Sequence, residues 1–150
     1  MKCFQKRLLL FAFVVLALHP LLDAQVRELG TGAPGPVKAP HLTAELIADH
    51  TTIAPGGSGH IALSLTLDPG WHVYWVYAGD AGEPPAVVWS LPQGVAVGPM
   101  QYPTPSRLPV GPLMDYGYEG RAVFPFDLSA SQHLALGGAR LRAHVRWLVC

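Results

Sequence analysis

ARLRAHVRWLVC, residues 139–150, decides how this chain is read. Ala139, Leu141, Ala143, Val145, Trp147 and Val149 fall on one parity; Arg140, Arg142, His144, Arg146, Leu148 and Cys150 fall on the other. A period of two marks a half-buried β-strand. The apolar set therefore faces a core, and the polar set faces water or a partner. Cys150 rides on the polar face, two positions from Leu148 and four from Arg146. A thiol so placed fills no core. It is presented beside positive charge, the setting that favours a reactive thiolate. A strand that stops at its own cysteine reads as the margin of a fragment, with closing strands expected beyond it.

The same period recurs upstream. Ile61, Leu63, Leu65 and Leu67 alternate with Ala62, Ser64 and Thr66 between two turn signals, Pro55-Gly56-Gly57 and Asp68-Pro69-Gly70. Residues 71–76 (WHVYWV) and 86–91 (AVVWSL) are rich in types that favour sheets. Residues 41–49 form a first strand with imperfect alternation, 95–102 a short one, and 121–128 another, with Pro125 at an edge or bulge. Residues 102–112 hold Pro103, Pro105, Pro109 and Pro112, so this stretch is expected to run as extended chain along a sheet edge. Residues 114–120 (MDYGYEG) read as a tyrosine-rich loop. Beyond the N-terminal segment, no ten-residue stretch keeps a helical period free of Gly and Pro. About seven short strands with Gly/Pro turns predict an all-β, immunoglobulin-like antiparallel β-sandwich, truncated at its C-terminal end.

The N-terminus is of a different kind. Lys2, Lys6 and Arg7 precede an uncharged apolar run at 8–18, and polar sequence returns at Asp23-Ala24-Gln25. A basic start and a short apolar run describe a secretory signal peptide over residues 1–24. The run is shorter than the roughly 20 residues of a membrane span. Its removal takes Lys2, Lys6, Arg7 and Asp23 from ten basic and ten acidic residues, leaving seven against nine. That slight acidic excess argues against nucleic acid as a partner. Residues 25–40, with Gly30, Gly32, Pro34, Gly35, Pro36 and Pro40, read as a flexible leader, and the folded domain is expected at 41–150. Cys3 leaves with the signal, so Cys150 stands alone. An odd cysteine in an exported chain implies a reactive thiol or a partner elsewhere.

Other candidates carry bland readings. Arg140 and Arg142 share the Cys150 face but lie far along the strand, at about 3.3 Å per residue. Arg146 is near enough to favour the thiolate if it leans forward, and His144 is a surface residue. His41, His50, His60, His72 and His133 show no metal-ligand spacing, and His72 is expected on an outer strand face. Trp71, Tyr74, Trp75, Tyr77 and Trp89 are expected to form sandwich core in preference to a sugar platform. Asp80 and Glu83 read as a solvated turn. No cofactor or metal is called for. Residues alone leave two functions open: thiol chemistry at Cys150, or an exported β-sandwich binding or adhesion module with an incidental cysteine.

Four stretches taken together resemble the N-terminal periplasmic domain of the DsbD/ScsB family of thiol:disulfide interchange proteins. They are DPGWHVYW at 68–75, GDAGEPP at 79–85, LPVGPLMDYGYEG at 108–120 and WLVC at 147–150. In that family the last stretch continues to a second cysteine. The resemblance implies an immunoglobulin-like domain whose catalytic cysteine here is Cys150, acting within a protein-disulfide reductase. It implies electrons arriving from a thioredoxin-like domain, a membrane domain in the full-length inner-membrane protein, and oxidised periplasmic proteins as acceptors. Among these the family includes disulfide isomerases, cytochrome c maturation factors and proteins of copper tolerance. It also implies a cap loop over the thiol, carried here by Asp115, Tyr116, Gly117 and Tyr118.

Overall fold

The computed structural model describes residues 35–150, so the segment read as a signal peptide and most of the leader lie outside the described residues. Ten strands run in order: β1 Val37–Ala39, β2 Leu42–Ala48, β3 Ser58–Leu67, β4 His72–Gly79, β5 Ala86–Ser90, β6 Val95–Val97, β7 Ser106–Val110, β8 Leu113–Glu119, β9 Arg121–Ala130 and β10 Arg142–Arg146. No helix occurs among the described residues. One layer is a five-stranded antiparallel sheet in the order β1-β2-β3-β9-β6. The other layer has two pieces, β4-β8-β7 and β10-β5.

Period-two patterning builds the core between the layers. Ile61, Leu63 and Leu65 of β3 stand opposite Phe126, Phe124 and Ala122 of β9. Paired residues share a sheet face, so all six point the same way. Leu42, Ala44, Leu67 and Leu128 extend that face. Val73 of β4 and Tyr118 of β8 answer it from the second layer, and Trp89, Val145, Trp147 and Val149 pack on it half-buried. Phe124 is fully buried, with Tyr118 edge-on at 5.2 Å and Tyr102 edge-on at 5.7 Å. The immunoglobulin-like β-sandwich expected from the strand pattern is the fold observed.

Three details differ from the sequence reading. Residues 37–39, expected in the flexible leader, form β1 against β2. Three residues between Pro36 and Pro40 carry no periodic signal; pairing with a neighbour, not their own pattern, makes them a strand. The stretch 114–120, expected as a loop, lies all but Gly120 in β8, the middle strand of its sheet. Gly117 there is not a loop signal. A Cβ at that position would collide with the Val73 carbonyl oxygen and crowd Leu108, so the glycine permits close packing of strands. Pro125 lies within β9, between β3 and β6, but its carbonyl accepts from the Gln101 N–H at 2.8 Å. On that side β6 pairs only with residues 128–130, so the missing proline N–H costs no ladder bond. The proline-rich stretch behaves as expected: β7 is an outer strand, and it carries Pro109.

Truncation at the centre of this core has a defined cost. Phe124→Ala removes a fully buried ring and leaves a cavity, so it is expected to destabilise the domain by about 3–5 kcal/mol. Denaturant unfolding with an unchanged slope and a lowered midpoint is the expected record.

Candidate functional site

β10 pairs antiparallel with β5, from Arg142 opposite Ser90 to Arg146 opposite Ala86. The alternation continues past the strand. Residues 141, 143, 145, 147 and 149 are half-buried, and 142, 144, 146, 148 and 150 are exposed. Cys150 is an exposed free thiol, on the face that parity assigns to it. Its backbone is fixed. The His72 N–H donates to the Cys150 carbonyl at 2.9 Å, and the Cys150 N–H donates to the His72 carbonyl at 3.1 Å. Such a reciprocal exchange is the hydrogen-bonded pair of an antiparallel ladder. It joins the β10 end of the second layer to β4, and it places the Cys150 and His72 side chains on one face.

That face is the outer side of β4-β8-β7, away from the main core, and it is built over. His72 pairs with Glu119 and Tyr74 with Gly117, so all four share the Cys150 side. Asp115 follows on the same parity, with Leu108 of β7 beside it. The loop 79–85 folds across them. Asp115 is buried, and its Oδ1 accepts from the Ala81 N–H at 2.9 Å. Asp80 closes the other side: its Oδ2 accepts from the Met114 N–H at 2.8 Å, and its own N–H donates to the Met114 carbonyl at 3.2 Å. Gly82 lies so close to the Tyr74 ring that a Cβ there would overlap it, and its φ of +97° suits glycine alone. Tyr74 in turn meets the His72 ring edge-on at 5.0 Å. A small second core thus lies on the thiol's side of the sheet.

The four residues assigned to a cap divide between two faces. Asp115 and Gly117 lie on the Cys150 side, where Asp115 anchors the loop. Tyr116 and Tyr118 have the opposite parity. Tyr118 belongs to the main core, with its hydroxyl donating to the Pro103 carbonyl at 2.8 Å. Burial, with the Tyr102 phenol adding to it, pushes the Tyr118 pKa up to about 12. Burial also raises Tyr102, whose hydroxyl donates to the Pro85 carbonyl at 3.0 Å.

The remaining candidates are placed as follows. Arg146 lines an open groove with Glu83, Pro85, Met100 and Tyr102. His60 sits on the outer face of the large sheet, with Nδ1 at 2.8 Å from Asp49 and Nε2 at 3.6 Å from Asp127. Those contacts, led by the His60 backbone N–H, hold Asp49 below its usual carboxylate value. His41 stacks on Trp71 with ring centroids 3.5 Å apart. Trp75 and Trp89 pack on the core as expected, but Tyr77 is 72% exposed. Asp80 is a loop staple, not merely a solvated turn residue. His72 lies on the outer face as expected, yet it is buried there, with the Tyr74 ring edge-on to it.

An all-β sandwich with an exposed thiol, fixed where the two pieces of its second layer meet, is the class of protein these features define. Residues 42–150 match the family described as the thiol:disulfide interchange protein DsbD, N-terminal, and the chain belongs to that family. It is similar to the N-terminal periplasmic domain of ScsB from Proteus mirabilis, with a TM-score of 0.58 and 26% identity. The match covers 77% of this chain and 44% of that one, so the chain spans less than half the length of the solved structure. A search of curated proteins finds no match.

The burial of Tyr118 has an alkaline signature. Its folded pKa is raised, so its contribution to stability is full below the ordinary value of 10.0 and is lost as pH rises toward about 12. Tyr118→Phe is expected to make the fall in unfolding midpoint across that range shallower. At neutral pH it should cost about 1 kcal/mol for the lost bond to Pro103. Denaturant unfolding of both proteins as a function of pH checks this.

Proposed function

We propose that this domain carries out thiol–disulfide exchange in the periplasm, with Cys150 as its catalytic thiol. The observation that carries this reading is the exposed Cys150, held by two backbone bonds to β4 in a chain of this family. Exchange requires a thiolate to reach a disulfide sulfur along the S–S axis. A thiol on a fixed strand offers one approach direction and cannot retreat into the core. The Cys150 sulfur attacks one sulfur of a substrate disulfide, that S–S bond breaks, and the departing sulfur takes a proton. A second thiol then resolves the mixed disulfide, which the family supplies as a second cysteine.

In this reading residues 1–24 direct export, a leader follows, and the exchange domain runs from β1 at Val37–Ala39 to residue 150. Reducing equivalents arrive from a thioredoxin-like domain and leave to oxidised periplasmic proteins, with a membrane domain in the parent protein. The cap role falls to the unit built on β8. Asp115 holds the loop 79–85 over the thiol's face, Gly117 lets β4 approach, and Tyr118 anchors the strand in the main core from behind, with Tyr116 on the same opposite face. Such a shield limits access by unsuitable oxidants, since exchange rates depend on access as well as on thiolate fraction.

The test is trapping. With a thioredoxin-like protein that lacks its resolving cysteine, the intact protein is expected to form a mixed disulfide that maps by mass spectrometry to Cys150. Cys150→Ser should abolish both the adduct and the reduction of a disulfide substrate. Undiminished reduction by the serine variant would remove Cys150 from the mechanism.

A further inference from the structure

His72 is the residue directly across the backbone pair from Cys150. It is only 8% exposed, and its Nε2 is buried with no hydrogen-bond partner. A buried imidazole nitrogen left unpaired is costly, so an orphan of this kind calls for an explanation. Among the described residues one other buried side-chain nitrogen shares that condition, Trp89 Nε1. The Trp89 indole packs edge-on against Phe126 in the main core, which accounts for its seclusion. His72 lies on the other side of the second layer, the side that carries the thiol. Side chains at such paired positions spring from Cβ atoms about 5.5 Å apart. The two side chains therefore leave the backbone side by side on one face. The Tyr74 ring lies edge-on to the His72 imidazole, and Gly82 of the covering loop packs on the Tyr74 ring in turn.

We infer that His72 is the proton acceptor and donor for Cys150 in the exchange proposed above, an inference that rests on that reading. The Cys150 thiol gives its proton to His72 Nε2, and the resulting imidazolium lies beside the thiolate. The thiolate attacks one sulfur of a substrate protein's disulfide. As the S–S bond breaks, the departing sulfur takes the proton back from Nε2. The products are a Cys150–substrate disulfide and one substrate thiol, with the imidazole returned to its starting state. Several charged and titratable groups neighbour this pair. Glu119 of β8 stands opposite His72, Tyr74 and the buried Asp115 of β8 share its face, and Asp80 and Glu83 lie in the loop 79–85; Arg146 and His144 share the parity of Cys150, and Asp68 before β4 is paired with His41 at 3.7 Å.

The experiment is peptide-resolved alkylation of Cys150 in the intact, reduced protein, as a function of pH, for the native chain and His72→Phe. Phenylalanine keeps a ring beside Tyr74 and removes the nitrogens. The expected result is a roughly tenfold lower alkylation rate at pH 7 in the variant, with rates at pH 10 agreeing within about twofold, because only the thiolate reacts. A glutamine at 72, which can donate a hydrogen bond but not exchange a proton, should behave like Phe. Superimposable pH profiles for the native chain and for a folded variant would overturn the role of His72. If His72→Phe fails to fold, His72→Gln carries the test by the same criterion. Parallel assay of Cys150→Ser separates the two levels of inference. Loss of disulfide reduction in Cys150→Ser with unchanged profiles in the His72 variants rejects this inference alone, whereas full reduction by Cys150→Ser rejects the reading beneath it.

Discussion

The reciprocal backbone pair between His72 and Cys150 is the constraint on which the site depends. The second layer of the sandwich has two pieces, β4-β8-β7 and β10-β5, and this pair brings the end of one against the first residue of the other. It converts the last residues of the chain from a dangling strand end into part of a sheet. It also determines what the thiol faces. Because paired residues share a face, Cys150 is committed to the side occupied by His72, Tyr74 and Asp115, and Val149 is left free to pack on the main core.

The domain buries apolar side chains on both sides of one sheet, and the two sides do different work. The main core, centred on Phe124, Leu63 and Leu65, is built chiefly from the alternating inner faces of strands. The outer pocket of Tyr74, Leu108 and Asp115 is roofed by an irregular loop, and its cover depends on polar bonds: Ala81 to Asp115, and Met114 to Asp80. A carboxylate buried under a loop is stable only while its acceptors are satisfied. The Cys150 side of the sheet is therefore covered by a segment held through a few specific bonds, whereas the sandwich behind it is held by broad apolar contact.

Much of the fold was legible in the sequence because the inner faces obey a period of two without exception over β3, β9 and residues 141–149. The exposure of Cys150 followed from the same rule. The positions of β8 and His72 did not. MDYGYEG looks like a loop because glycine and tyrosine commonly punctuate hairpins, yet Gly117 is there so that β4 can approach closely. That reason involves Val73, more than forty residues away, and no local pattern contains it. His72 reads as an outward strand residue, which it is. Its burial beside the Tyr74 ring is not visible in strand parity.

The sequence by itself determined the class of fold, the edge position of the proline-rich strand, and the parity that carries Cys150 to the surface. Alternation is a local property, set by the backbone geometry of each strand, and it survives whatever the strand pairs with. Only the tertiary structure decided which residues surround the thiol. Pairing of Cys150 with His72, folding of 79–85 over Tyr74 and the split of residues 115–118 between two faces all depend on registers between distant segments. Register is fixed by the packing of the whole sandwich, because slipping any strand by one residue would turn its apolar side chains out to water.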